Sequence, residues 1–140
     1  MKTGLEIEGD IYEMLKSSPI HLATNGEIYK GDTRPFQEKG VESKEYIVVR
    51  YLTGLSTQIQ KGVVIVNAYS PYIAVVDKVL VRNTARCQEL ERKLDETFYY
   101  LQRQFSDYYF SFDGAIQTYG DDGIKQTFST LRIKYKILEN

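Results

Sequence analysis

Lys61-Gly62-Val63-Val64-Ile65-Val66-Asn67-Ala68-Tyr69-Ser70-Pro71 is the stretch whose reading decides the fold. Val63, Val64, Ile65 and Val66 are all β-branched, and their stiff χ1 angles suit a pleated surface. Along a strand Val63 and Ile65 point one way, and Val64, Val66 and Ala68 the other. A strand apolar on both sides is central and covered on both faces. Gly62 opens it and Pro71 closes it, because proline cannot donate to the ladder. The run is short for a buried helix, and its β-branching argues against one. It reads as the central strand of the only sheet, and none of its residues carries chemistry.

Its neighbours extend that sheet. Residues 46–52, Tyr-Ile-Val-Val-Arg-Tyr-Leu, are again β-branched and aromatic. Residues 53–57 join them to the central strand as a hairpin. Further back, Asn25-Gly26 signals a turn, followed by a short strand over 27–30. Residues 31–45 are polar, carry both charge signs and contain Gly31, Pro35 and Gly40. Loops of that length inside a domain are often functional. Residues 5–17 read as an amphipathic helix, with Ile7, Ile11, Met14 and Leu15 at helical spacing. Gly9 weakens that helix, Pro19 stops it, and residues 20–23 read as a short connection.

Downstream, residues 84–105 form a plain helix. Cys87, Leu90, Leu94, Phe98, Leu101 and Phe105 make one stripe at steps of three and four. At ~1.5 Å per residue it spans roughly 33 Å, enough to lie across a sheet. Residues 108–119 and 125–138 read as a long hairpin around Gly120-Asp121-Asp122-Gly123. Tyr108, Phe110, Phe112 and Ile116 share one face; Leu131, Ile133, Tyr135 and Ile137 alternate with Arg132, Lys134 and Lys136. The order α-β-β-β-α-β-β is an α+β fold: a mainly antiparallel sheet of about five strands with two helices packed on it. Residues 72–82 resist assignment: an extra strand, the start of the long helix, or an apolar arm.

The chain has 140 residues, which makes one domain able to bury roughly 70% of its unfolded surface. A net charge of −1 argues against a general nucleic-acid binder. The single cysteine, Cys87, excludes an internal disulfide and a thiolate metal cluster. The first residues lack the apolar core of a signal peptide, and no run reaches membrane-spanning length. Twelve tyrosines and no tryptophan fit either interfaces or half-buried strand positions.

The search for chemistry finds little. His21 is the only histidine, so any Ser-His-Asp or Cys-His arrangement has to use it; its place in a connector favours a structural role. Cys87 sits on the apolar stripe, where a thiol is inert. Asp121-Asp122-Gly123 lacks the other oxygens of a calcium loop. The glycines are scattered singly, so no phosphate loop is present. No catalytic residue, cofactor or metal site is expected. Arg132, Lys134 and Lys136 form a basic stripe that is either a solvated strand face or a contact for single-stranded nucleic acid.

Several pieces follow one another in a distinctive order. An N-terminal helix leads into Gly26-Glu27-Ile28-Tyr29-Lys30-Gly31, then a polar loop with Arg34-Pro35, then Glu45-Tyr46-Ile47-Val48-Val49. Gln60-Lys61-Gly62 opens the central run, the long helix follows, and Leu131-Arg132-Ile133-Lys134-Tyr135 comes late. In this order the chain resembles the small tail-completion and tail-terminator proteins of tailed phages, relatives of head–tail joining proteins. Residues 72–82 have no place in that pattern.

The resemblance implies a non-enzymatic virion protein, from a phage or prophage, found in the virion or in the host cytoplasm before assembly. Its subunits would form a ring, often a hexamer, at the end of the tail tube. Its partners would be itself, the tail tube and head–tail connector proteins, with DNA as passing cargo and no membrane. A closed ring needs two different matching patches per subunit. Candidates are the polar loop with Arg34, Phe36 and Lys39, the apolar segment with Ile73, Val75, Val76, Val79, Leu80 and Val81, and the exposed face of the terminal hairpin. The alternatives are a nucleic-acid-binding module using Arg132, Lys134 and Lys136, or an orphan enzyme of unknown reaction.

Overall fold

The computed structural model describes residues 1–31, 44–56, 59–75, 79–104, 106–121 and 123–137. In chain order its elements are α1 (Gly4–Leu15), α2 (Pro19–Thr24), β1 (Ile28–Lys30), β2 (Tyr46–Ser56), β3 (Gln60–Pro71), β4 (Ile73–Ala74), β5 (Leu80–Val81), α3 (Thr84–Gln102), β6 (Tyr108–Phe112), β7 (Gln117–Asp121) and β8 (Gln126–Ile137). The class is α+β, with three helices and eight strands described. Six strands form one mainly antiparallel sheet in the order β1-β2-β3-β8-β6, with β7 also on β8; β4 and β5 pair with each other.

β3 is central, as its two-sided apolar run requires. It pairs antiparallel with β2 on one side and with β8 over its whole length on the other. Val64, Val66 and Ala68 face the helices and meet Ile7 and Ile11 of α1 and Leu90, Leu94, Phe98 and Leu101 of α3. Leu131, Ile133, Tyr135 and Ile137 of β8 complete that core. The helices thus lie on one face of the sheet, and Cys87 is buried beneath them. Phe105 lies outside the described residues.

The other face is covered differently. Tyr46, Val48 and Tyr69 form a small cluster with Tyr29, Ile124 and Phe128. Their rings run across the strands as a row: Tyr29 edge-on to Tyr46 at 5.9 Å, Tyr46 stacked on Tyr69 at 4.7 Å, Phe128 at 5.4 Å, then Tyr119 at 5.5 Å. Such cross-strand aromatic pairs stabilise a sheet by up to ~1 kcal/mol each. Ile65 lies between Arg50 and Arg132 in the register, and their long stems shield it.

The structure differs from the sequence reading at several elements. Residues 19–24 form a helix rather than a connection. Ser18 caps it by accepting from the His21 N–H, and Pro19 takes the first turn, where its missing N–H costs nothing. The remaining pairs of the sheet are antiparallel, and β1 with β2 is its one parallel pair among the described residues. The expected single strand over 108–119 is two strands. Four residues, 113–116, stand opposite only two of β8, and Gly114 takes φ +95° in that bulge. Finally, β2 runs four residues beyond the expected end, to Ser56, past a bulge between Tyr51 and Thr53.

Gly62 does not open β3; it lies inside it, opposite Gly54. A Cβ there would stand 2.2 Å from the Thr53 carbonyl oxygen. Gly62→Ala should therefore destabilise by about 1–3 kcal/mol, the usual cost of overpacking. A methyl group on Gly9, in α1, would meet nothing within 4 Å, so Gly9→Ala should stabilise by about 0.5–1 kcal/mol. Urea midpoints of both variants test the placement, and a stabilising Gly62→Ala would contradict the register.

Arg86 joins three elements. Its guanidinium makes two 2.7 Å bonds to the Glu45 carboxylate, one of 2.8 Å to the Ala23 carbonyl and one of 2.8 Å to Glu89. These partners hold it charged well above its ordinary range, the Glu45 bond foremost. Arg86→Ala should cost about 2–3 kcal/mol, on the scale of bonds to charged groups. Arg86→Lys should recover little, because an ammonium cannot make the paired contact. Thermal melts of the two variants decide between a fork and a point charge.

Candidate interaction surfaces

The groups best suited to catalysis are held by structural partners. His21 lies between two carbonyl oxygens, Nδ1 2.5 Å from Lys16 and Nε2 3.1 Å from Gly26. It ties the end of α1 to the approach of β1. Cys87 Sγ sits 3.3 Å from the Thr127 hydroxyl, under α3. Among the described residues, no three histidine, cysteine or carboxylate side chains gather as metal ligands.

Two tyrosines are strongly perturbed. Burial pushes the Tyr108 hydroxyl far above its ordinary value, and its 2.6 Å bond to Asp10 adds to that. Asp10 also pairs with Lys2, whose ammonium lies 5.5 Å from the Tyr108 ring centre. Burial likewise raises Tyr135, whose hydroxyl is 3.5 Å from that of Tyr51. The first group joins the chain start, α1 and β6; the second covers Gly54 and Gly62, whose added Cβ atoms would meet those hydroxyls. Both read as staples between elements.

Three surfaces remain. The first is the segment that resisted assignment: it is a two-stranded ribbon, β4 with β5, closed by a 2.9 Å bond from the Val75 N–H to the Val79 carbonyl. Its root is fixed by a 3.0 Å bond from the Tyr72 N–H to the Lys125 carbonyl. Ile73, Val75, Val79 and Leu80 are 40–55% exposed, and Val81 is half-buried. Among the described residues, none of these side chains belongs to either hydrophobic cluster. Val76, Arg34, Phe36 and Lys39 lie outside the described residues, as does most of the polar loop.

The second surface is a cleft of about 930 Å³ at the β2–β3 hairpin. Gly54, Gly62 and Val63 line it, with Leu55 and Tyr109, 63% and 62% exposed, beside them. Lys61, Lys134 and Lys136 rim it. Lys61 and Lys136 stand directly opposite each other, an arrangement that costs stability. Arg132 and Lys134 share Asp113, at 2.9 and 3.9 Å. So the expected basic stripe exists, gains Lys61 from β3, and is partly neutralised by the bulge. Sequence alone did not link Lys61 to it, because that proximity depends on register.

The third is a wide cleft of about 1100 Å³ between α3 and the β6–β7 bulge. Its charges pair among themselves, as Arg86 with Glu89 and Arg92 with Asp95.

Tyr108 supplies a test of the electrostatics. An unfolded tyrosine ionises near 10, and the folded one ionises higher. Its contribution is therefore full below pH ~10 and is lost as pH rises beyond it. In Tyr108→Phe the fall of stability between pH ~10 and ~11.5 should be shallower than in the wild type, leaving the part due to Tyr135. Parallel curves would exclude Tyr108 as a source.

No family model matches this sequence, and no curated protein matches it either.

Proposed function

We propose that the chain is a structural subunit of a phage or prophage tail, a tail-completion, tail-terminator or head–tail joining protein that works as a ring and catalyses no reaction. The observation that carries this reading is the exposed apolar ribbon of β4 and β5. The described ribbon residues lie outside both hydrophobic clusters, and exposed apolar residues grouped in this way mark a surface made for another protein. The order of elements that resembles the tail-terminator family supplies the kind of assembly. In that assembly the partners are further copies, the tail tube and connector proteins, and DNA passes through as cargo.

The work is mechanical. A ring at the tube end stops growth by covering the surface on which the next tube layer would stack. Two different patches per subunit suffice to close it. A staple such as Arg86 keeps the helix layer and the sheet rigid beneath those patches.

A second reading, single-stranded nucleic-acid binding, draws on Lys61 and Lys136, which face each other beside the exposed Tyr109 ring. Lysines with an open aromatic ring suit phosphates and a stacked base.

The double variant Val75→Asp, Val79→Asp separates these. In the structural reading its melt stays within about 0.5 kcal/mol of wild type, as for exposed sites, while binding to tail tubes and ring formation are lost. Sedimentation and electron microscopy with the partner tube provide the measurement. A variant that still assembles, or that melts several kcal/mol lower, defeats the reading. A dT20 oligonucleotide bound by the wild type, with a salt slope reduced by about 1.4 in Lys61→Ala, Lys136→Ala, would instead favour the second.

A further inference from the structure

The ribbon and the hairpin cleft lie at opposite ends of β3. Gly62 and Lys61 line the cleft, and the ribbon begins two residues after Pro71. At ~3.3 Å per residue, β3 separates them by roughly 36 Å. They are therefore too far apart to meet within one copy.

Each is incomplete alone. The ribbon has two-residue strands that pair only with each other among the described residues. A two-stranded ribbon of that size is marginal without something to pack on. Among the described residues the cleft borders an uncovered edge. β1 covers β2 only over Ile47–Val49, and the Glu8 carboxylate takes the next outward N–H, that of Tyr51, at 3.0 Å. Beyond the bulge, the outer edge of β2 at Thr53, Gly54 and Leu55 has no strand beside it among the described residues. An open edge beside an apolar floor is a place where another strand adds.

We propose that the β4–β5 ribbon of one copy seats in the hairpin cleft of the next, against the open edge of β2. The inference rests on the assembly reading above and names its contact. Ile73, Val75, Val79 and Leu80 would lie on Leu55, Val63 and the face of Tyr109. The stems of Lys61, Lys134 and Lys136 flank the ribbon while their ammonium groups stay in water. Because the two patches differ, the contact is head-to-tail and propagates until the rotation closes. The side chains named, four from the ribbon and three from the cleft, fall well short of the roughly 20–30 residues a side of a standard interface. A single pairing is accordingly weak, and closure, with every copy engaged at both ends, gives the assembly its strength.

Paired cysteines test this in the full chain, since Cys87 is buried and a buried structural thiol is inert. Val75→Cys and Leu55→Cys are combined, oxidised with diamide in the assembled state with the partner tube present, and run on a non-reducing gel. The double variant should give a ladder of dimer, trimer and larger species, at least tenfold above either single variant. Dimers from Val75→Cys alone would mean a symmetric ribbon–ribbon contact and overturn the proposal. Assembly of the double variant without any ladder also overturns it, while leaving the assembly reading intact. Absence of assembly in the wild type sinks both. A dT20 oligonucleotide that shields Leu55→Cys from maleimide would assign the cleft to nucleic acid and likewise overturn it.

Discussion

The full-length pairing of β3 with β8 is the constraint on which the rest of the molecule depends. It runs without a break from Gln60 opposite Ile137 to Pro71 opposite Gln126. Because side chains alternate with period two, this register settles every face at once. It sets Val64, Val66 and Ala68 in line with Leu131 and Ile133, and so makes the apolar floor that α1 and α3 cover. A slip of one residue would turn that floor into the solvent and bring Arg132, Lys134 and Lys136 under the helices.

The same register divides the helix-free face into two halves. Near the Pro71 end, Tyr46, Tyr69, Phe128 and Tyr119 stack across four strands. Near the Gln60 end, Lys61, Lys134, Lys136, Arg132 and Arg50 gather on three strands. A chain of net charge −1 is thus strongly polarised locally. The aromatic half is closed by its own rings; the basic half is open and ends in the hairpin cleft.

Much of the fold was legible because burial leaves a local periodic trace. The stripe of Cys87, Leu90, Leu94, Phe98 and Leu101 marked α3, and the alternation over 131–137 marked β8, since each element has one side in the core. The helix over 19–24 leaves no such trace: it is six residues long, and Ser18-Pro19, which stops α1, is also its start signal. The capping box of Thr3 with Glu6 is the local signal that starts α1 at Gly4. The basic stripe was seen on β8 alone; Lys61 joins it only through pairing.

By itself the sequence determined that α1, α3, β2, β3 and β8 form, which side of each is apolar, and that residues 73–81 are more apolar than a connector needs. Those properties follow from side-chain chemistry at spacings of two and three to four residues. Only the tertiary structure decided that β1 runs parallel to β2, that residues 113–116 bulge, and that the apolar segment stands away from the core as a ribbon. Each of those depends on which distant strand lies alongside. Pairing between residues as far apart in the chain as Gln60 and Ile137 is decided by the whole sheet closing on one core rather than by any local pattern.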